Sequence, residues 1–137
     1  MKTSASSKRH QAFSLVELMI IVALIALIAA VAVPNFLRAR KRAQATRILD
    51  DLRLIDGALD LYATETSKTA GDQATWADIQ PYIKKDSILY NSNGLDLLGN
   101  AFSSGVYSVD NPPRIDPASF VALAEVAPAD FWSPFAP

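Results

Sequence analysis

A single carboxylate, Glu17, stands at the edge of an unbroken apolar stretch. From Leu18 to Val33 every residue is apolar, and after Pro34-Asn35 the run resumes with Phe36-Leu37. An acidic side chain near hydrocarbon costs about 2.5–3.5 kcal/mol on insertion scales, so it ordinarily has a partner and a task. The chemistry open to it is charge pairing, in which a cation offsets the cost of each charge in an apolar surround. Directly behind the stretch stand Arg38, Arg40, Lys41 and Arg42. Their position suits anchoring at lipid headgroups better than contact with phosphates of DNA. Other chemistry is thinly represented. The one histidine, His10, precedes the apolar stretch, and Ser103-Ser104-Gly105 reads as a loop with no general base near it in sequence. Asp96, Asp110 and Asp116 offer oxygen ligands but lack EF-hand spacing and read as turn residues and caps. The absence of cysteine excludes thiol catalysis, cysteine metal sites and disulfide staples. No catalytic residue, metal site or cofactor is expected.

The element that positions Glu17 is a helix. Counted from Phe13 to Leu37, it is long enough to cross a hydrocarbon core of ~30 Å at ~1.5 Å rise per residue. Helical patterning continues past the span, because Ile48, Leu52, Ile55, Leu59 and Tyr62 recur at spacings of four, three, four and three and share one face. Arg47, Asp50, Asp51, Arg53, Asp56 and Asp60 mostly take the other positions, with Arg47–Asp51 and Arg53–Asp56 as expected surface pairs. Gly57 reads as a point of close approach by a packed element. One helix from roughly Ser14 to Thr64 would be about 75 Å long, with a bend where the Pro34 ring removes a donor and presses on the carbonyl of Ala30. Its outer half is expected to lie on a small sheet.

The motif Lys8-Arg9-His10-Gln11-Ala12, then Phe13-Ser14-Leu15-Val16-Glu17, then an apolar run containing Pro34, resembles the amino terminus of type IV prepilins and type II secretion pseudopilins. The resemblance implies that a membrane peptidase cuts between Ala12 and Phe13 and methylates the new amine of Phe13. Ala12 stands where that family usually has glycine. It further implies that Glu17 is the family's glutamate and Pro34 its helix-bending proline. The assembly residues are therefore Phe13, Glu17 and Pro34. Two other readings compete: a secretory signal ending near Ala29-Ala30-Val31-Ala32, and an uncleaved anchor. The first has too long an apolar core, and the second leaves Glu17 unexplained. Lys2, Lys8 and Arg9 precede the span while four cations follow it, so charge alone favours the opposite topology to the one the motif implies.

The remaining residues read as a compact head. Glu65 to Ala74 is a polar loop containing Gly71. Thr75-Trp76-Ala77-Asp78 has the form of a capping box opening a short helix that Pro81 limits. Ile88-Leu89-Tyr90, Ala101-Phe102 and Val106–Val109 are strand candidates, with a turn at Asn91-Ser92-Asn93-Gly94. Asp116-Pro117 starts a helix through Phe120, Val121 and Leu123 towards Ala127. The tail Phe131-Trp132-Ser133-Pro134-Phe135 is expected to pack onto the head. Asp96-Leu97-Leu98-Gly99-Asn100-Ala101-Phe102 is similar to a segment of major pseudopilins, with Ala101 in place of the usual proline. The calcium loop of many major pseudopilins and the paired cysteines of many pilins are not recognisable.

The expected fold is α+β and pilin-like: a long bent amino-terminal helix packed on a small antiparallel sheet. The expected organisation is a leader at 1–12, a transmembrane and filament-core helix at 13–37, and a globular domain at 38–137. Losing the leader removes Lys2, Lys8 and Arg9, making the chain three charges more acidic than its formal −1, which argues against nucleic acid as a partner. The expected function is a structural subunit that a prepilin peptidase and methyltransferase processes and that polymerises into a type IV pilus-like helical homo-oligomer. Its expected partners are the membrane and an inner-membrane assembly platform. It is single-pass in the inner membrane, amino terminus cytoplasmic, and then part of a periplasmic or cell-surface filament. The alternatives are a type II secretion pseudopilin and, in another class, a non-polymerising membrane-anchored periplasmic binding module.

Overall fold

The computed structural model describes residues 13–137. The leader at 1–12, with Ala12, Lys8, Arg9 and His10, lies outside them. Helix α1 runs Leu15–Thr66 with Pro34 inside it. The chain divides after Leu37 into two compact units, 13–37 and 38–137. In the first, every residue is exposed. An apolar helix without a covering layer is stable only where lipid or other apolar helices supply one.

In the second unit α1 is one-sided. Ile48, Leu52, Ile55 and Leu59, the stripe read from the sequence, are buried together with Ala45, Leu49 and Ala58. Tyr62 packs against this core and meets Tyr82 edge to face at 6.2 Å. The helix ends two residues later than expected. Ser67 adopts a left-handed φ of 53°, and the Lys68 N–H donates to the Ala63 carbonyl at 3.0 Å, which satisfies a carbonyl that the last turn would leave open.

The sheet has two short strands, β1 (Gln73–Thr75) and β2 (Val106–Ser108). They are antiparallel, with Ala74 opposite Tyr107. That pair faces the core while Gln73, Thr75 and Val106 face outward. The architecture is α+β: a long amino-terminal apolar helix with a small antiparallel sheet. β2 follows the alternation of Val106 to Val109, whereas β1 joins Gln73 and Ala74 of the expected polar loop to Thr75 of the capping box. One buried alanine between two exposed polar residues carries no readable strand pattern. Helix α2 (Trp76–Ile79) follows β1 and runs into a 3₁₀ turn at Gln80–Tyr82. The Asp78 carboxylate accepts from the Thr75 N–H at 2.8 Å and its hydroxyl at 2.7 Å, closing the expected box.

Two strand candidates are corrected. Ile88–Asn91 is helix α3, capped by the Ser87 hydroxyl, which accepts from the Tyr90 N–H at 3.1 Å. A three-residue apolar run cannot distinguish the two states, and the cap decides. Ala101 makes only a single bridge to Leu95, and Phe102 enters the core at the start of a tight turn. Helix α4 (Pro117–Leu123) has Asp116 as its cap, accepting from the Ala118 N–H at 2.8 Å. It stops short of Ala127. The tail is part of the core, with Trp132 and Phe135 buried.

The ion pairs on α1 also differ from expectation. Arg53 reaches back to Asp50 at 3.1 Å rather than forward to Asp56. Arg47 pairs with Asp51 at 3.2 Å, but Asp51 is buried rather than on the outer face. Burial pushes its carboxyl above the ordinary range against the opposing pull of Arg47.

Gly57 is exposed and a Cβ there meets nothing within 4 Å, so no element approaches it. The expected close approach is absent, and the glycine contributes only its helix-propensity cost. Gly57→Ala should therefore stabilise the chain by about 0.5–1 kcal/mol, read as a raised midpoint in thermal melts of the detergent-solubilised protein. A lowered midpoint would show that the position needs glycine.

Candidate functional site

The candidate site is the start of α1 and the basic segment behind its apolar stretch. Phe13 precedes the helix and is 71% exposed. Ser14 occupies the cap position of α1, and its N–H donates to Glu17 Oε2 at 3.0 Å. Ser14-Leu15-Val16-Glu17 thus forms the acidic half of a capping box, in which the third helical residue reaches back to the cap N–H. The serine-to-glutamate spacing carries that signal in sequence. One carboxylate oxygen is engaged locally by this bond. The carboxylate also sits in the first turn, where unpaired backbone N–H groups favour negative charge.

Pro34 lies inside α1 and is exposed. Its missing N–H leaves the Ala30 carbonyl without its helical donor, so the ladder is weakest there. The stretch around it is exposed and, but for Asn35, apolar from Leu18 to Leu37, with a mean hydropathy of 3.0 over its most apolar 18 residues. It is the one helix among the described residues long and apolar enough to cross a membrane.

The basic cluster is divided by structure. Arg38 Nε lies 3.2 Å from Glu125 Oε1, and Lys41 Nζ lies 3.1 Å from Glu125 Oε2. Arg40 and Arg42 are exposed and have no acidic partner among the described residues. Residues 38 and 41 are three apart and rise on one side of the helix, towards the end of α4. Arg40 and Arg42 stand on other sides and stay available to a headgroup or another chain. Glu125 had no sequence signal, being a lone acid eighty-four residues beyond Lys41. Lys41 first, and Arg38 after it, hold the Glu125 carboxyl below its ordinary 4.5. A carboxyl lowered by folding contributes stability above 4.5, and that contribution is lost as pH falls through the folded value. An NMR titration of the full chain in micelles should place the Glu125 midpoint below 4.5, with Lys41→Ala moving it upward. Equal midpoints in parent and variant would refute the pairing.

The three aspartates weighed as oxygen ligands are each occupied by protein donors. Asp96 is buried, with Oδ1 accepting from the N–H groups of Leu98 at 2.8 Å and Asn100 at 2.9 Å, and Oδ2 accepting from the Ser119 hydroxyl. Asp110 accepts from Ser108, and Asp116 caps α4. These bonds fix loops; they do not assemble a common centre. Ser103 and Ser104 lie in a turn, and Ser103 Oγ accepts from the Arg114 N–H at 2.8 Å.

Comparison with known proteins bears on the same amino-terminal segment. Residues 7–33 match the family model described as a prokaryotic N-terminal methylation motif. The chain is 30% identical over 61 residues to the type II secretion system core protein G of Klebsiella pneumoniae, covering 44% of each chain. It is 32% identical over 68 residues to the type IV major pilin protein PilA of Myxococcus xanthus, covering 50% of this chain and 31% of that one. With the type IV wide pilus major component PilA4 of Thermus thermophilus it shares 38% identity over 67 residues, 49% of this chain and 51% of the other. The chain thus spans only about a third to a half of the relatives' length. No solved structure matches it.

Proposed function

From a chain whose methylation motif and relatives support the pilin and pseudopilin family, we propose a structural subunit that is processed between Ala12 and Phe13 and polymerises into a type IV pilus-like filament. The observation that carries this reading is the wholly exposed apolar helix at 15–37 with one acid, Glu17, in its first turn. Such a surface is unstable in water and is satisfied in two settings, a bilayer before assembly and a bundle of like helices after it. The subunit waits in the inner membrane with its amino terminus in the cytoplasm. An assembly platform then extracts it into a homo-oligomeric fibre in the periplasm or at the cell surface.

Glu17 supplies the register. Oε2 holds the Ser14 N–H, which survives a cut before Phe13, so the carboxylate stays ordered in the mature chain. Its other oxygen is directed to the Phe13 amine of the next subunit. Two charges that are costly apart and tolerable together make one axial position favourable. Pro34, where one ladder bond is missing, lets the helix lengthen by local melting during extraction. Arg40 and Arg42 hold the interface with lipid headgroups. The role is mechanical and calls for no catalytic residue.

Mass spectrometry of the protein from its own cells tests the reading: the mature chain should begin at methylated Phe13 and appear in filaments sheared from the surface. An intact Met1, or a start near Val33, would overturn it. The similarity to core protein G favours a second reading, a type II secretion pseudopilin. A deletion strain separates the two, since a pseudopilin's loss strands exported proteins in the periplasm while a pilin's loss leaves export intact.

A further inference from the structure

The head carries a half-open cavity of ≈ 400 Å³ between the turn Ser103–Gly105, strand β2 and the segment Asn111–Pro117. The volume lies within the range of small-molecule sites. Its wall is a turn of three successive left-handed residues, Ser103 (φ 49°), Ser104 (φ 54°) and Gly105 (φ 83°). Two of these are not glycine, a conformation that persists only when its surroundings enforce it. Two contacts enforce it: the Ser103 N–H donates to the Arg114 carbonyl at 2.9 Å, and the Arg114 N–H donates to Ser103 Oγ at 2.8 Å. The turn and the Arg114 segment are thereby locked together across the cavity.

The polar residues lining this space carry groups of both kinds. The Arg114 guanidinium is exposed and has no partner among the described residues, and neither has the Ser104 hydroxyl. Asn111 Nδ2 donates to Ser108 and Asp110, leaving Asn111 Oδ1 as an acceptor. Asp116 Oδ1 caps α4, leaving Oδ2. Between them the floor is apolar, built from Val106, Pro112, Pro117 and Pro137. A simple anion would meet Asp116 as well as Arg114, and a cation would meet the reverse. These groups rise from two segments, the Ser103–Gly105 turn and Asn111–Pro117, around a compact volume. A ring of vicinal hydroxyls suits them, because each hydroxyl both donates and accepts while the C–H face rests on the apolar floor. We propose that this cavity binds a neutral hexose-sized saccharide, with Arg114 and Ser104 donating to its hydroxyls and Asn111 and Asp116 accepting from them. The inference does not depend on filament formation.

The test is an NMR titration of the isotopically labelled full chain in micelles with glucose, galactose, mannose and N-acetylglucosamine, each to about 50 mM, enough to saturate a site of about millimolar Kd. At least one sugar should shift the Arg114 and Ser104 signals saturably. Arg114→Ala and Asn111→Ala, which truncate exposed side chains, should each weaken that binding at least tenfold with the folded spectrum unchanged. A polysaccharide containing the binding hexose should produce the same shifts if the natural ligand is a unit within a polymer; shifts with the free sugar alone would assign a free monosaccharide. The proposal is overturned if no hexose gives saturable shifts, if binding survives both substitutions, or if acetate or a short neutral peptide binds at this cavity and the sugars do not.

Discussion

Glu17→Leu should leave the chain inserted, cleaved and folded, yet raise the concentration needed for filament assembly about a hundredfold or more. Leaving one partner of a buried ion pair uncompensated costs about 3–5 kcal/mol, and about 1.4 kcal/mol is a factor of ten in an association constant. The bond between Glu17 and the Ser14 N–H adds a second contribution that must be separated from the first. Its loss costs about 1 kcal/mol of helix stability at most, felt already in the monomer. Glu17→Gln distinguishes the two, because an amide oxygen still accepts from Ser14 but carries no charge. Filament yield from sheared cells, beside membrane-fraction blots for the unassembled protein, reads the outcome. Failure of both variants assigns the effect to charge pairing. Failure of Leu with retention by Gln assigns it to the cap. Wild-type assembly by both would show that Glu17 has no part in polymerisation.

The second large effect lies in the head. Trp132 is fully buried, its indole N–H donates to the Ala127 carbonyl at 3.0 Å, and Phe131 meets it edge to face at 5.1 Å. Trp132→Ala should destabilise the head by about 3–5 kcal/mol, from lost apolar burial and the cavity left behind. Trp132→Phe should cost far less, because it keeps most of the apolar contact and mainly strands the Ala127 carbonyl. Near-UV circular dichroism melts of the solubilised chain, with limited proteolysis, compare the series. An unchanged melt for Trp132→Ala would mean that the tail is an appendage rather than a wall of the core. The stakes are set by the lack of cysteine. The segment 131–135 is held by packing of Trp132 and Phe135 and by the Ile115 N–H, which donates to the Phe135 carbonyl at 3.0 Å.

What was legible without coordinates follows from interactions that are local or periodic. The apolar run at 18–33 needs no partner to be recognised, because its length against a bilayer is a property of the segment itself. The stripe from Ile48 to Leu59 was readable because helical spacing turns sequence separation into a shared face. The boxes and caps at Thr75–Asp78 and Asp116 were readable because their bonds join residues two or three apart. The acidic box of Ser14 and Glu17 belongs to this group too, its bond joining residues three apart.

What tertiary structure alone decided depends on partners far along the chain. Arg38 and Lys41 meet Glu125 because of the placement of α4's end, a pairing that no local spacing announces. Asp51 is drawn beneath the head, although its helical position beside Arg47 suited a solvated pair equally well. β1 exists because Tyr107 lies opposite Ala74; its own three residues have too little pattern to specify a strand. Ile88–Asn91 became helix because Ser87 caps it and Leu89 finds the core, an outcome its brief apolar run left open. For β1 and for Ile88–Asn91, local preference between alternatives amounts to about tenths of a kcal/mol, while the apolar burial supplied by a distant segment is worth about a kilocalorie or more, and the larger interaction sets the result.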